Sequence, residues 1–498
     1  MIQFFNTLSG KLDKFDKEPP AHVGIYTCGP TVYDYAHIGN FRAFVFEDLL
    51  RRFLQFSGYK VNHVMNLTDV DDKTIAGANV GAPLVGARTG QAQGLPLQRL
   101  NAFTAPYIQA FNEDLKMLNC LLPTHQPRAT LKIQSMLKLI EKLEEKGIAY
   151  ASGGSVYYRV SRFPAYGKLS KKKLEMNIAG ASERVDADEY EKEQVTDFVL
   201  WKKSKDGEPS WPSKWGPGRP GWHIECSAMS MEELGEQFDI HAGGEDLIFP
   251  HHENEIAQSE GATGKAPFVK YWLHCKFLLV DGKKMSKRDG NFYTLRDLIA
   301  KGYDPMAIRY ALLSSHYQTP LNFTLNGLQE AGEVIKKLDD CYALIHPDFD
   351  GSASVPSECG TVVRLEALQK EIIEGLSSDL NVSTALASML EGVKWINRAY
   401  VEGEFNDAEN CKAALAFFSA NDKIFGLDIA ESAEVPGNVF SKMRERSEIR
   451  RQIKEQGDKS LWKESDRLRD EIQALGWRVK DRKPGELSIL KKKRRTWD

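Results

Sequence analysis

Three observations predict that the 498-residue sequence folds as an α/β protein with several domains. A predicted strand at His22–Cys28, an amphipathic helix over about Gly39–Phe56 and a second strand at Lys60–Asn66 form a strand–helix–strand unit. After about residue 315 the hydrophobic pattern becomes helical, and the final segment, Ser441–Asp498, is short and basic. Because strand–helix–strand units build Rossmann-type parallel sheets, we expect such a domain first, followed by an α-helical bundle and a small C-terminal domain.

Length and composition limit the class of protein. At roughly 150 residues per domain, the chain accommodates about three domains. Its 42% hydrophobic and 27% charged residues are typical of a globular protein and exclude collagen-like, coiled-coil and largely disordered chains. The sequence lacks an apolar run of the ~18 residues that a membrane span needs. It also lacks a secretory leader pattern, so we expect a cytoplasmic protein.

The charge is unevenly distributed along the chain. The whole sequence carries 66 basic and 69 acidic residues, whereas Ser441–Asp498 carries 19 Lys and Arg against 11 Asp and Glu, a net of +8. A basic end on an acidic body suggests contact with a polyanion, although a terminus that only aids solubility has the same composition. The seven cysteines, an odd number, predict free thiols or metal ligands rather than a disulfide framework.

A first candidate site lies between the first predicted strand and its helix, in the segment Thr31–Asn40. A helix N-terminus presents unpaired N–H groups and a partial positive charge, so it attracts anions. Gly39 permits close approach of a ligand to the backbone. His37 and Asn40 lie three residues apart on one face of the first turn and can both donate to a phosphate or to adenosine. Alone, the tetrapeptide also fits a capping histidine and a packing glycine.

A second candidate site follows about 250 residues later, in the lysine-rich segment Asp281–Asn291. Lys284 and Lys287 lie in a glycine-flanked loop after a predicted strand, where they can neutralise a triphosphate during cleavage. A lysine cluster by itself is usually a solvated loop. Together, however, the two segments resemble the paired HIGH and KMSKS signatures of class I aminoacyl-tRNA synthetases, in the same order.

A third group of residues has the chemistry of metal ligands. Cys28 ends the first predicted strand, and Cys226 follows far downstream. His251 and Glu255 are four residues apart, so they share one face if the segment is helical. Two thiolates, one imidazole and one carboxylate make a plausible zinc set, although no CxxC pair is present. Taken singly, Cys28 is also compatible with the core and the histidine with a polar surface.

With these residues in place, the sequence resembles the cysteinyl-tRNA synthetase family over nearly the whole chain. The resemblance implies one Zn²⁺ held by Cys28, Cys226, His251 and Glu255, to which the sulfur of the substrate binds directly. A pocket distinguishes near-isosteres such as cysteine and serine by only ~10–200-fold. Binding of the thiolate to a metal increases the discrimination between cysteine and serine, because zinc prefers sulfur and lowers the pKa of the thiol.

The resemblance also implies roles for further residues. His37, Gly39, Asn40, Lys284 and Lys287 would contact ATP, which Mg²⁺ accompanies, and all of these except Gly39 would be catalytic. The wall of the cysteine pocket would contain Thr68, Trp222, His241 and Asp246. For Trp222 and His241 ordinary core packing is an equal alternative, and Asp246 is also compatible with a turn.

The implied reaction has two steps. The carboxylate of L-cysteine attacks the α-phosphorus of ATP, and the cysteinyl group then passes to the 3′-terminal adenosine of tRNA(Cys), without a covalent enzyme intermediate. We expect a monomer that contacts no membrane.

The implied domain divisions follow the chain. They are the first half of the catalytic domain at 1–130, a connective insertion at 131–200, the second catalytic half at 201–315, a tRNA-binding helical bundle at 316–430 and a basic anticodon-binding domain at 438–498.

The sequence departs from the family pattern at three places. Asn40 replaces the second histidine of the first signature but retains a donor, and Arg288 adds charge to the lysine loop. The Gly/Ala-rich stretch 76–95 predicts a mobile loop rather than a helix.

Three alternatives remain open from the sequence. The first is a related ligase that transfers cysteine to an amino-sugar, and the basic C-terminal segment argues against it. The second is a catalytically silent relative that binds RNA. In the third, the zinc is purely structural.

Overall fold

The structure, a computed structural model, describes residues 1–80, 94–172, 194, 196–342, 344–345, 360–402, 408–429, 437–480 and 489–492. Its strands, numbered along the chain, are β1 (Gln3–Asn6), β2 (Lys11–Lys14), β3 (His22–Thr27), β4 (Lys60–Met65), β5 (Ala149–Ser152), β6 (Ser155–Tyr158), β7 (Phe198–Lys203), β8 (Gly218–Pro220), β9 (Phe238–Gly244), β10 (Val269–Cys275), β11 (Leu278–Val280), β12 (Lys283–Lys284), β13 (Leu321–Phe323), β14 (Trp477–Lys480) and β15 (Ile489–Lys492).

The α-helices fall into two groups, those of the N-terminal two thirds and those of the C-terminal third. The first group spans Ile38–Phe56, Asp72–Val80, Leu95–Met117, Ile133–Glu145, Trp222–Leu234, Glu253–Thr263, Leu295–Ala300 and Pro305–Leu313. The second group spans Leu325–Tyr342, Gly360–Ser377, Val382–Glu402, Ala408–Phe425, Gly437–Gln456 and Trp462–Ala474. No helix in the described part of the chain is long and apolar enough to cross a membrane.

The central element is a four-stranded parallel sheet with the strand order β10-β9-β3-β4. The predicted strand–helix–strand unit is confirmed, since β3, the helix Ile38–Phe56 and β4 follow one another as expected. The sheet strands are largely buried, as is typical of parallel sheets covered by helices on both faces.

The strand order places a switch point at the middle of the sheet. From β3 the chain proceeds outward to β4 on one side, and from β9 it proceeds outward to β10 on the other. At such a switch point the loops after the two central strands diverge and leave a crevice beyond their carboxyl ends, where ligands of α/β proteins bind. The residues that follow β3 and β9 therefore line a crevice.

A second, antiparallel sheet with the order β5-β6-β7-β8 runs from Ala149 to Pro220. It lies between the two halves of the parallel sheet in sequence, as a connective insertion would, and the exact boundaries 131–200 stay a prediction.

By their internal contacts the residues divide into two compact units. One contains Met1–Gly332 with Glu374–Ser383, and the other contains Glu333–Ile373 with Thr384–Asp498. The first holds the parallel and the insertion sheets. In the described part of the second, the secondary structure is helical apart from the β14–β15 hairpin.

The prediction of a loop at 76–95 is wrong for the first residues of this range. Residues up to Val80 belong to the helix Asp72–Val80, and the rest of the predicted loop, through residue 93, lies outside the described residues. The helix begins with a reciprocal cap, because Asp71 Oδ1 accepts from the Thr74 N–H (2.7 Å) and Thr74 Oγ1 accepts from the Asp71 N–H (2.8 Å). This cap offsets the low helix propensity of the glycine within the segment.

A buried ion cluster fixes the first helix of the parallel sheet. Asp48 pairs with Arg309, and with Arg52 at 2.7 Å, and all three side chains are nearly inaccessible to solvent. Burial alone would raise the pKa of Asp48, but the two guanidinium groups outweigh it and lower the pKa. The carboxylate is therefore ionised in the folded protein.

We predict that Asp48→Asn destabilises the unit containing the parallel sheet by about 3–5 kcal/mol, because two arginines then lack their buried counter-charge. Differential scanning calorimetry measures the shift. The control is Asp16→Asn, which alters an exposed pair with Lys270 (3.0 Å) and should change stability by less than ~1 kcal/mol. Equal shifts in both variants would contradict this account.

Candidate active site

The crevice beyond β3 and β9 brings together the three groups of residues that the sequence singled out. Cys28 follows β3 directly, and the segment Thr31–Asn40 continues from it into the helix Ile38–Phe56. The helix Glu253–Thr263 supplies Glu255, and the loop after β12 lies against the start of the first helix. A candidate metal cluster and a candidate phosphate-binding segment thus share one crevice.

Candidate metal ligands converge on one point. One ligand atom from each of Cys28, His251, His252 and Glu255 lies within 4.8 Å of the others. Cys28 Sγ is 3.8 Å from Cys226 Sγ and 3.9 Å from Glu255 Oε1. The structure therefore brings together all four predicted ligands and adds His252, whose Nε2 is 3.5 Å from Cys28 Sγ.

The geometry within the cluster fits metal ligation better than hydrogen bonding. His251 Nε2 lies 3.1 Å from Glu255 Oε1, yet this buried nitrogen makes no hydrogen bond. A buried polar atom without a partner is costly. Two ligand atoms that approach one another without bonding, beside two thiols, form a donor set suited to a soft divalent ion such as zinc.

The charges of the cluster support the same interpretation. Burial would raise the pKa of Glu255, but His241 and His251 outweigh it and lower the pKa to about 2. Burial would likewise lower the pKa of His251, but Cys226 and Glu255 raise it to about 10. Burial raises the pKa of Cys28 well above its usual value, beside Cys226 and Glu255. Without a metal, a protonated imidazole thus compensates the buried carboxylate, and a bound cation would replace that proton.

Aromatic rings hold the ligands in place. Trp222, which is 42% exposed, stacks on His251 with ring centroids 4.3 Å apart and an interplanar angle of 26°. His241 stacks on Trp272 at 4.6 Å, and its Nε2 contacts Glu255 Oε2 at 3.1 Å. Both predicted pocket residues therefore touch a candidate ligand.

The other two predicted pocket residues lie in different surroundings. Thr68 is buried, and its hydroxyl donates to Glu225 Oε2 (3.0 Å) while accepting from Asn66 Nδ2 (3.2 Å). Asp246 is exposed in the turn after β9, and its negative charge opposes in part the lowering of the His37 pKa by burial. Thr68 thus has its hydrogen bonds satisfied within the protein, whereas Asp246 faces the crevice near the helix start.

His37 and Asn40 form a reciprocal cap at the start of the helix Ile38–Phe56. His37 Nδ1 accepts from the Asn40 N–H (3.1 Å), and Asn40 Oδ1 accepts from the His37 N–H (3.1 Å). Burial lowers the pKa of His37, so its ring is neutral near pH 7. Because Nδ1 accepts, the proton is on Nε2, and the ring presents a donor to a ligand.

The lysine-rich loop lies across this helix start. The Ile38 N–H donates to Tyr293 O (3.0 Å), and a Cβ on Gly39 would lie 3.1 Å from Met285 Cε. Asn291 closes the loop by accepting from the Ser286 N–H (2.8 Å) and donating to Lys284 O (3.2 Å). The side chains of Lys284 and Lys287 remain exposed at the mouth of the crevice.

Comparison with known proteins agrees with this geometry. Residues 14–333 match the family model described as tRNA synthetases class I (C) catalytic domain. The fold is also that of a solved methionyl-tRNA synthetase of Mycobacterium tuberculosis in complex with methionyl-adenylate. That structure has a TM-score of 0.60 and 14% identity, covering 85% of this chain and 94% of the other. The fold and the site therefore define a class I aminoacyl-tRNA synthetase.

Similar sequences narrow the class to one family. Proteins named cysteine–tRNA ligase from Solibacter usitatus and Chlamydia muridarum are each 46% identical to this chain, covering 97% of it and 98% of the relative. One from Leptospira interrogans is 43% identical with the same coverage. The chain belongs to the cysteine–tRNA ligase family.

Some residues of the site were missed by sequence reasoning. His252 Nδ1 contacts His274 Nε2 at 2.8 Å, and His223 Nδ1 contacts His251 Nδ1 at 2.8 Å, so imidazoles surround the cluster. Asp34 contacts Lys287. The sequence signal available was weak, since His252 is merely adjacent to a predicted ligand.

We predict that the metal content of single variants shows whether Cys226 or His252 is the fourth metal ligand, beside Cys28, His251 and Glu255. Cys226→Ser and Glu255→Gln should lose the bound metal, because each removes a ligand atom. His252→Gln should retain the metal with affinity weakened by at most ~10–100-fold, the usual effect of a residue that only orients a ligand. Plasma mass spectrometry of protein dialysed against buffered Zn²⁺ measures the stoichiometry. If Cys226→Ser retains the metal and His252→Gln loses it, the fourth metal ligand is His252 and not Cys226.

Proposed function

We propose that this chain is a cysteine–tRNA ligase that converts L-cysteine and ATP to cysteinyl-adenylate and pyrophosphate, then transfers cysteine to the 3′-terminal adenosine of tRNA(Cys). The observation that carries the proposal is the position of the sulfur-rich cluster. Cys28 is the first residue after β3, and the phosphate-binding helix begins ten residues later, at Ile38. A sulfur-selective site and an ATP site therefore face the same crevice.

Amino-acid selection rests on the metal cluster. Cys28, Cys226, His251 and Glu255 would hold one Zn²⁺, and bound zinc would supply a soft Lewis acid that favours the thiolate of cysteine over the hydroxyl of serine. Trp222 and His241 orient the ligands that they contact. Because serine has no thiolate to bind the metal, this discrimination would need no second, editing site.

The ATP site rests on the capped helix and the lysine loop. The Nε2–H group of His37 and the side-chain amide Nδ2 of Asn40 donate to the nucleotide. Gly39 lets the nucleotide approach the helix N-terminus closely. Lys284 and Lys287 stabilise the charge that develops on the pyrophosphate as it leaves, with Mg²⁺ accompanying the ATP. The protein thus positions both reactants and stabilises charge, while the cysteine carboxylate itself attacks the α-phosphorus.

Two further residues complete the proposed cysteine pocket. Asp246 supplies a negative charge near the helix start, where it can bind the ammonium group of cysteine or the adenosine. Thr68 lies on the wall of the pocket, held by its bonds to Glu225 and Asn66. Its role is to shape the wall, because its hydroxyl already has partners.

The C-terminal third would bind tRNA(Cys). We assign 316–430 to a helical bundle and 438–498 to the anticodon-binding domain, since Ser441–Asp498 carries the net charge of +8 that phosphates attract. Several arginines of this region already pair with acids of the same helix, as Arg467 does with Glu464 and Glu471. Such pairs neutralise part of the positive charge, so the binding of phosphates depends more on the remaining basic residues. We expect a cytoplasmic monomer.

The test is charging of unfractionated tRNA with radiolabelled cysteine, beside cysteine-dependent ATP–pyrophosphate exchange. We predict both activities, with one tRNA species charged and serine rejected by well over the ~10–200-fold that pocket size provides.

Each alternative has its own outcome in this test. Exchange without charging would indicate a ligase that transfers cysteine to a small acceptor. Neither activity, in zinc-loaded folded protein, would indicate the catalytically silent RNA-binding relative. Unfolding of the catalytic domain on chelation would indicate a purely structural zinc, whereas loss of cysteine binding with the fold retained would indicate a zinc that selects the substrate.

A further inference from the structure

The ion pair between Asp34 and Lys287 joins the two signature segments across 253 residues of sequence. Lys287 Nζ donates to Asp34 Oδ2 at 2.6 Å, and the same Nζ lies 5.0 Å from the centre of the Phe292 ring. Asp34 stands three residues before His37, whose ring packs edge-on against Phe292 at 5.3 Å. Asp34 and Phe292 thus hold one loop lysine beside the helix start.

The remaining hydrogen bonds of the loop are made by its backbone and by the side chains of Ser286 and Asn291, so they fix the path of the chain but not the lysine side chain. A lysine has a flexible four-carbon stem, so fixing its ammonium group costs side-chain conformational entropy. In the described residues of this crevice, Asp34 is the carboxylate that contacts Lys287. The direction of the ammonium group therefore depends on Asp34.

The chemistry of the pair leaves the lysine able to act on a phosphate. An ammonium group has three donors, and Asp34 occupies one of them. Hydrogen bonding and charge from Asp34 raise the pKa of Lys287, so the amine stays protonated. Burial would raise the pKa of Asp34, but the hydrogen bonds from Lys287 and the Tyr35 N–H, together with the charge of Lys287, outweigh burial and lower the pKa, so the carboxylate stays ionised near pH 7.

We propose that Asp34 is a positioning residue for adenylate formation, which aims the Lys287 ammonium at the departing pyrophosphate while Lys287 itself contacts the phosphates. The inference rests on the proposed function, and it adds to the phosphate site a residue that lies outside both the tetrapeptide His37–Asn40 and the loop segment Lys284–Arg288. Asp34 acts through Lys287 alone and touches no reacting atom.

The test is pre-steady-state and exchange kinetics of Asp34→Asn, alone and combined with Lys287→Ala. Exposed ion pairs contribute ~0.2–1 kcal/mol. We therefore expect Asp34→Asn to lower kcat for cysteine-dependent ATP–pyrophosphate exchange about two- to five-fold, with KM for cysteine unchanged. In the Lys287→Ala background the same change should have no further effect. Asp34→Glu, which restores the carboxylate, should recover most of the rate.

A matched control separates the effect of losing this ion pair from the effect of losing any surface ion pair. Glu236 contacts Lys265 at 2.6 Å on the surface, with similar exposure, and Glu236→Gln should leave exchange unchanged. Transfer of cysteine from preformed adenylate to tRNA should also be unaffected by Asp34→Asn, because no pyrophosphate leaves in that step.

Several outcomes would overturn the inference. An equal loss from Asp34→Asn with and without Lys287 would show that Asp34 acts independently of the lysine. A raised Mg²⁺ requirement in both backgrounds would assign the carboxylate to the metal ion of the nucleotide. A normal rate in Asp34→Asn would leave the pair without a role. If the wild-type protein itself shows no exchange, the proposed function fails rather than this inference.

Discussion

The burial of sulfur and carboxylate ligands beside one another governs the architecture of this protein. Cys226, His251 and Glu255 are almost completely inaccessible to solvent, and Cys28 lies against them at the crevice. Removing ionised groups from water costs several kcal/mol each unless an opposite charge compensates them. The ion pair of His251 with Glu255 supplies part of that compensation, and a divalent cation held by the cluster would supply more. The buried cluster is therefore a candidate metal site.

Three distant segments hold the cluster together, and the parallel sheet is what aligns them. Cys28 directly follows β3, Cys226 lies on the helix Trp222–Leu234, and Glu255 lies on the helix Glu253–Thr263. The pairing of β3 with β9 fixes the first segment against the elements that flank the second and third. The same strand end feeds the capped helix, so one set of backbone hydrogen bonds positions both the sulfur site and the phosphate site. The proximity that catalysis needs is thus a property of the fold.

Sequence reasoning was most successful where chemistry is local in the chain. The strand–helix–strand unit follows from hydrophobic periodicity. His251 and Glu255, four residues apart, do approach to 3.1 Å, although His251 lies in the short π-helical turn Ile248–His252 that precedes the helix Glu253–Thr263. The sequence could not show which way His37 faces, because its Nδ1 is engaged in a cap that only the folded turn creates. It likewise could not show the contact of Asp34 with Lys287, which depends on two loops meeting at the sheet edge. The sequence did not predict the end of the helix Asp72–Val80, because the glycine and alanine content after residue 76 suggested a loop. The N-terminal cap stabilises the helix in spite of this composition.

The most direct test of the central claim, that the cluster selects cysteine through a metal–sulfur bond, is electronic absorption of the Co²⁺-substituted protein titrated with amino acids. Cobalt accepts the same tetrahedral nitrogen and sulfur ligands as zinc and reports on them spectroscopically. The account predicts that cysteine intensifies the sulfur-to-cobalt charge-transfer absorption, whereas serine leaves the spectrum unchanged. A spectrum that cysteine does not alter, in protein that still forms cysteinyl-adenylate, would contradict it.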